Sequence, residues 1–111
     1  MQVTVKQNDA IKILEFEGQL DVASSDFARE ETLKLLEKKP TIISMAKCTY
    51  VSSSGLRALL MIAKAAKSKG VKVIYAETIP EVMDVLQMTG FIKFLTCAKT
   101  IEEAEKELAG K

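Results

Sequence analysis

The 111-residue chain has the length of one domain, and a 48% share of hydrophobic residues is ordinary for a globular protein and argues against disorder. Its 16 basic and 15 acidic residues leave a formal charge of +1 and are interspersed, so no patch indicates direct binding to nucleic acid. The longest apolar run, ALLMIA, is far too short to cross a bilayer and no signal peptide is recognisable, so we expect a cytoplasmic protein without membrane insertion.

The first predicted elements are a β-hairpin and a helix. MQVTVKQ and IKILEFEGQL alternate apolar and polar residues, with Ile11 and Ile13 on one face, and the turn formers NDA separate the two strands. The segment VASSDFAREETLKLLEKKP then predicts a helix, because its serines can cap the start, its acidic residues come early and its basic residues late. Pro40 ends this helix.

A short strand and the clearest helix of the chain come next. TIISM is apolar and partly β-branched, which predicts a buried strand. After the triple serine, apolar residues fall at positions 56, 59, 60, 63 and 66, which is the stripe of an amphipathic helix that Gly70 closes.

The last third of the sequence predicts a strand, a helix, a strand and a helix: VKVIYA, TIPEVMDVLQMTG, FIKFLT and TIEEAEKEL. In the first of these helices Thr78 and Glu81 have the spacing of a capping box, and in the second Thr100 and Glu103 have it too. We expect Met83 and Met88 to fill the core.

This order of elements defines a fold class. Strands that alternate with helices are joined by right-handed crossovers and run parallel, whereas the hairpin makes its first strand antiparallel. We therefore predict a single α/β domain over residues 1–111, with a small mixed sheet covered by about four helices.

Three segments, taken in order, resemble a known family. EGQLDVASS resembles a Gly-x-Leu-Asp segment, YVSSSGLRALL an aromatic-x-Asp-Ser-Ser-Gly-Leu segment, and VLQMTGFIKFL a Met-Ser/Thr-Gly segment of STAS domains, specifically anti-sigma-factor antagonists. The resemblance implies the STAS fold and a regulatory switch without catalysis. It also implies two partners, an anti-sigma factor with serine kinase activity and a metal-dependent serine phosphatase.

The resemblance also assigns residues. The phosphorylated serine of the family falls on Ser53, its second serine on Ser54 and its glycine on Gly55. Ser52 stands where the family has an acid, and Asp21 keeps the acid that follows the hairpin. On the short strand, Ser44 stands where the family commonly has Asp or Asn.

The residues themselves give a physical account of the serine run. One hydroxyl suffices for an N-cap, and Ser52, where the chain leaves the strand, is the expected cap. Ser54 should then turn towards the core, which leaves Ser53 with the most exposed hydroxyl. A phosphate there would meet the positive end of the helix dipole, and Arg57 one turn later could pair with it or simply belong to a solvated face.

Purely structural roles are also possible for several of these residues. A serine run before a helix is often only a cap, and Asp21 before a helix is often only a cap as well. The sequence has no histidine, no Walker-type loop and no CxxC, so we expect no catalytic residues, no metal site and no cofactor. Cys48 and Cys97 are expected to be reduced packing residues.

Three function classes remain open. The first is a binding module switched by phosphorylation, and the second is a constitutively docked STAS-type subunit of a signalling or lipid-transport complex, which the missing acid at Ser52 favours. The third, an enzyme with a serine or cysteine nucleophile, lacks a paired base. The sequence does not determine the oligomeric state.

Overall fold

The computed structural model describes residues 1–7 and 10–109 and contains a five-stranded mixed sheet with four α-helices in that part of the chain. The strands are β1 (Gln2–Gln7), β2 (Lys12–Leu20), β3 (Thr41–Val51), β4 (Val73–Ala76) and β5 (Cys97–Ala98). The helices are α1 (Ser25–Leu35), α2 (Ser53–Ser68), α3 (Pro80–Thr89) and α4 (Ile101–Ala109). Strand order in space is β1-β2-β3-β4-β5, with β1 antiparallel to β2 and the other pairs parallel. The predicted fold class is confirmed.

Helices cover both faces of the sheet. Leu14, Phe16 and Ile43 belong to a core cluster with residues of α1, α2 and α3. Ile42 and Ile74 project from the opposite face into a second cluster with α4. Because side chains alternate along a strand, neighbouring apolar residues such as Ile42 and Ile43 serve different layers.

The predicted hairpin is confirmed, apart from its turn, since Asn8 and Asp9 lie outside the described residues. Ile11 and Ile13 pack, half-buried, against the α4 cluster, whereas Leu14 and Phe16 are fully buried on the other side. β2 is thus apolar on both faces, as a strand between two helical layers must be.

The predicted last strand, FIKFLT, is wrong. Gly90 adopts the left-handed conformation (φ 80°) that ends α3, and Phe91–Phe94 form a 3₁₀ turn in which Lys93 N–H donates to the Gly90 carbonyl at 3.2 Å. Pairing begins only at β5, beside Tyr75 and Ala76. A short apolar run does not distinguish a strand from a helical turn, and packing of the half-buried Phe91 against the core decides it here.

Element ends also differ in detail. The N-cap of α3 is Ile79 rather than Thr78, whose buried hydroxyl has no hydrogen-bond partner among the described residues. The Thr100 cap is correct, because its hydroxyl accepts from Glu103 N–H at 3.0 Å. β3 extends well past TIISM to Val51, and α1 ends at Leu35, before Pro40 is reached.

Two further features concern the surface. Met83 packs against the core as expected, but Met88 is 86% exposed, so its assignment to the core is wrong. Across residues 1–7 and 10–109, none of the helices has the length and apolarity that a membrane crossing would require.

Candidate functional site

The triple serine lies at the junction between β3 and α2. β3 ends at Val51, and Ser52 has the extended backbone of an N-cap (φ −86°, ψ 178°). Its hydroxyl accepts a hydrogen bond from Gly55 N–H at 3.2 Å. Ser53 is the first helical residue and is exposed, whereas Ser54 is half-buried. The predicted cap and the predicted order of exposure are therefore confirmed.

The end of β2 fixes this junction in place. Ser52 N–H donates to the Leu20 carbonyl at 2.9 Å. Gly55 lies so close to the same carbonyl that a Cβ at this position would stand 2.4 Å from its oxygen. Only glycine fits at this position, because the backbone of α2 lies so close to the Leu20 carbonyl. Gly55 thus allows the first turn of α2 to pack against the end of β2.

Asp21, the residue after β2, stabilises the turn before α1 with its carboxylate. Its carboxylate oxygen Oδ1 accepts from Ala23 N–H at 3.0 Å and from Ser24 N–H at 3.2 Å. Ser24 is the N-cap of α1, although its hydroxyl donates backwards to the Gln19 carbonyl at 2.7 Å. The hydrogen bonds of Asp21 thus give it a structural role beside the junction, as an Asx-type turn residue.

A groove of about 270 Å³ runs between α1 and α2 next to the serines. It contains Ser54 and Arg57 from α2, and its wall on the α1 side includes the ion pair of Arg29 with Asp26 at 3.4 Å. The remaining lining residues are Val22, Ser25, Ala58 and Met61. The structure therefore brings the predicted site residues Ser54 and Arg57 together with the segment after Asp21.

The sequence did not predict the two exposed apolar residues that line this groove. Val22 is 80% exposed and Met61 is 48% exposed, although both are apolar. Met61 lies off the buried stripe of α2, which was a usable signal. No sequence pattern predicted the exposure of Val22, because this exposure follows from the turn that Asp21 stabilises. The groove therefore has two exposed apolar side chains among its polar residues.

The electrostatics at the start of α2 favour an anion. The first turn carries no acidic residue, so nothing offsets the positive end of the helix dipole. Arg57 is exposed on the second turn and forms no ion pair within the part of the chain that the structure describes. Arg57 lines the groove together with Ser54.

Ser44 lies apart from this site. It is buried on β3, and its hydroxyl donates to the Glu77 carboxylate at 3.3 Å. Ser44 alternates with Ile43, so it faces the α4 layer and not the groove. Glu77, the residue after β4, thus places a carboxylate beside Ser44, the position where the resembled family commonly has Asp or Asn.

The nucleophiles of the chain are poorly activated. Burial raises the pKa of the Cys48 thiol and outweighs the opposite effect of its backbone hydrogen bonds with Tyr50 and Leu20. Burial also raises the pKa of the Cys97 thiol. Both thiols therefore stay protonated near neutral pH. Cys48 is buried as expected, whereas Cys97 is only partly buried. In the described ranges no three His, Cys, Asp or Glu residues are grouped as a metal site.

The sequence and the fold of this chain are both similar to those of known proteins. Residues 2–104 match the family model of the STAS domain. BtrV of Bordetella bronchiseptica, named as a candidate anti-sigma factor antagonist, is 24% identical over 94% of this chain and 91% of its own length. The anti-sigma F factor antagonist of Paenibacillus polymyxa is 24% identical over 86% of this chain and 84% of its own. The solved structure of the anti-sigma factor antagonist SpoIIAA in its unphosphorylated form superposes with a TM-score of 0.76 at 18% identity, covering 99% of this chain and 98% of that one.

Proposed function

The chain belongs to the STAS domain family, and from that premise we propose that it is an anti-sigma-factor antagonist, active as one cytoplasmic domain over residues 1–111. In its unmodified form it binds an anti-sigma factor that is also a serine kinase, and so releases a sigma factor for transcription. Phosphorylation of Ser53 ends this association, and a metal-dependent serine phosphatase restores it. Two relatives that carry the name anti-sigma factor antagonist over most of both chains support this function.

The observation that carries the proposal is the position of Ser53. It is the exposed first residue of α2, and its hydroxyl has no hydrogen-bond partner among the described residues, whereas the hydroxyl of Ser52 is used as the cap. A kinase active site must reach the hydroxyl of its acceptor serine, and Ser53 offers the most accessible one of the three. The γ-phosphoryl group of ATP would pass to the Ser53 oxygen with ADP as the leaving product.

The phosphate would act on the partner and leave the fold intact. A group of about −1.5 to −2 charge at a helix N-terminus is stabilised by the free N–H groups and the dipole. The same charge beside a docking surface raises the desolvation cost of the complex and repels acidic groups of a partner. Val22 and Met61 are the exposed apolar residues that such a docked partner would cover.

The kinase and phosphatase chemistry would come from the partners. Both thiols are protonated, the sequence has no histidine, and among the described residues no carboxylate accepts a hydrogen bond from the serines at the start of α2. We therefore expect purified protein with Mg·ATP alone to show neither ATP hydrolysis nor phosphate incorporation. Stoichiometric autophosphorylation would contradict a purely regulatory role.

Phosphopeptide mapping and binding assays with the cognate anti-sigma kinase test the switch. After incubation with that kinase and Mg·ATP, mass spectrometry should place the phosphate on Ser53. Ser53→Ala should bind like wild type and resist phosphorylation, and Ser53→Asp should bind about tenfold more weakly, equivalent to about 1.4 kcal/mol.

Ser68→Asp is the matched control, since Ser68 is an exposed serine at the opposite end of the same helix. It adds the same charge to α2 and should leave binding unchanged. Phosphate on Ser52 or Ser54, or unchanged binding by Ser53→Asp, would contradict the assignment of Ser53. A single unshifted band on phosphate-affinity gels of protein from native cells in every growth state would instead indicate a constitutively docked subunit.

A further inference from the structure

A cleft of about 460 Å³ opens beside the start of β4, at the end of α2 that is remote from Ser53. It exists because β5 has only two residues. The ladder between β4 and β5 begins at Tyr75, whose N–H donates to the Thr96 carbonyl at 2.9 Å. Before this rung no described strand lies on that side of Val73, so the sheet has an open edge there. A cavity of this volume is within the ordinary range for a small ligand.

The open edge presents unpaired backbone groups to the cleft. Backbone groups of alternate residues in a strand point to the same side, so the Val73 N–H and C=O point outwards like those of Tyr75. Among the described residues neither group of Val73 has a hydrogen-bond partner, and the next rung, from Thr96 N–H to the Val73 carbonyl, is not formed. Val73 is half-buried, and Thr96 also lines the cleft. Backbone groups away from water are nearly always paired, so the Val73 N–H is a free donor for a ligand.

The wall of the cleft is largely apolar. Buried or half-buried residues from α2, from β4 with the segment before it, and from α4 form most of it: Ala63, Val71, Val73, Ile74 and Leu108. Phe94, from the 3₁₀ turn, also lines the cleft and is 66% exposed. An apolar body in the cleft removes the ring of Phe94 from water, and this burial favours binding.

The charges that line the cleft favour an anion. Lys67, in the last turn of α2, and Lys72, just before β4, are exposed and form no ion pair with any residue that the structure describes. Glu107, from α4, is the only acid among the described residues of the lining. Two lysines and one glutamate leave the lining with a net charge of +1, which complements a single negative charge on a ligand.

We propose that this cleft is a binding site for a small carboxylic acid with an apolar body, such as a medium-chain alkanoate. The carboxylate accepts hydrogen bonds from the Val73 N–H and from the ammonium groups of Lys67 and Lys72, and the apolar body lies against the wall and Phe94. The free donor, the unpaired cations and the apolar wall occur together, and a ligand of this class uses all three. For so small a ligand at a partly open site we expect a dissociation constant of about 0.1 to 1 mM.

An NMR titration of the isotope-labelled full chain with sodium octanoate measures this binding. The amide signals of Val73 and Thr96 should shift and saturate, and the amide signal of Ser53 should stay in place. Hexanoate should bind about tenfold more weakly, since two fewer methylene groups leave water. Octanol, which lacks the charge, should also bind about tenfold more weakly, and acetate, which lacks the apolar body, should produce no shift at the same concentration.

Substitutions of exposed charged residues test the role of charge in the cleft. Lys67→Gln and Lys72→Gln should each weaken octanoate binding by about fivefold, whereas Glu107→Gln should strengthen it by about twofold, because it removes a charge of the opposite sign. Lys64→Gln is the matched control, since Lys64 is exposed one turn earlier on α2 and does not line the cleft. No saturable shift up to about 10 mM octanoate, equal binding of octanol, or lysine and glutamate variants that do not act in opposite directions would overturn the proposal. None of these results bears on the phosphorylation of Ser53.

Discussion

Helices α1 and α2 pack side by side, and both begin at a run of serines, ASSD at residues 23–26 and VSSSG at residues 51–55. At α1 the hydroxyls are used in the turn. Ser24 donates to the Gln19 carbonyl, and the buried Ser25 donates to the Asp21 carbonyl. At α2 Ser52 alone serves as the cap, and Ser53 is exposed without a partner among the described residues.

The two starts also differ in charge and in how they are anchored. The first turn of α1 contains Asp26, whereas the first turn of α2 contains no acid. The start of α1 is stabilised by hydrogen bonds to the Asp21 carboxylate. The start of α2 is positioned by the close packing of Gly55 against the Leu20 carbonyl. An anchor made by the backbone leaves the side chains at the start of α2 available for other uses. Similar serine-rich sequences can therefore produce one purely structural helix start and one with a free hydroxyl.

Gly55→Ala tests the backbone anchor and should have the largest effect. The new Cβ would stand 2.4 Å from the Leu20 carbonyl oxygen and 3.0 Å from both the Leu20 Cγ and the Val51 Cγ1 atoms. Alanine is about 1 kcal/mol better than glycine within a helix, but the clash with the backbone should outweigh this. We expect a net loss of about 3 kcal/mol in the free energy of unfolding, measured by urea denaturation.

Gly70→Ala is the control for this substitution. Gly70 has φ +72° but nothing within 4 Å of its hypothetical Cβ, so this variant reports backbone strain alone, at about 1 kcal/mol. Equal losses for the two variants would show that close approach to Leu20 does not fix the start of α2.

Asp21→Ala tests the side-chain anchor of α1, and we expect the next largest effect. It removes the acceptor of two backbone N–H bonds in the turn, which should cost about 2 kcal/mol in urea denaturation. Asp21→Asn keeps an acceptor oxygen and should recover most of that loss. Wild-type stability for Asp21→Ala would contradict a structural role of Asp21 in the turn.

Much of the fold was predictable because its local signals agree with its tertiary packing. The alternation of strands and helices, the cap at Thr100 and the end of α2 at Gly70 could all be predicted from the sequence. The segment Phe91–Phe94 was misassigned because an apolar run of this length fits either structure, and contacts with α3 and the core, which are not local, decide the outcome. Thr78 was misassigned because a capping box describes spacing only, and the helix began one residue later than expected, after Ile79.

The site was predictable only in part, for a related reason. The cap at Ser52 and the exposure of Ser53 followed from the position of a strand-to-helix junction in the chain, whereas Ser54, which was expected to turn towards the core, is half-buried and lines the groove. The groove did not, because it depends on how α1 packs against α2, and that packing brings Val22 and Met61 beside Ser54. Arg57 also points into this groove, which its spacing from Ser53 did not reveal.

Alanine substitutions of single serines test the difference between the starts of α1 and α2. Ser24→Ala removes hydrogen bonds with Gln19 and Asp21 and should cost about 1 kcal/mol in the free energy of unfolding. Ser53→Ala removes an unpartnered exposed hydroxyl and should cost less than about 0.5 kcal/mol. Matched urea denaturation of the two variants measures the difference. A larger loss for Ser53→Ala would show that its hydroxyl has a structural role after all.

A negative charge at each helix start should have the smallest effect, and it tests whether the fold accepts a phosphate. Ser53→Asp gives α2 the acid that α1 already has in Asp26, so it should leave the thermal midpoint unchanged or raise it slightly, by the equivalent of about 0.5 kcal/mol at low salt. Asp26→Asn should lower the midpoint by a similar amount, since it also removes the ion pair with Arg29. Both shifts should shrink in about 0.5 M salt, because exposed charges are screened there. If Ser53→Asp instead lost more than about 1 kcal/mol, a phosphate at Ser53 would act by unfolding α2, and the weaker binding would have to be explained as loss of structure.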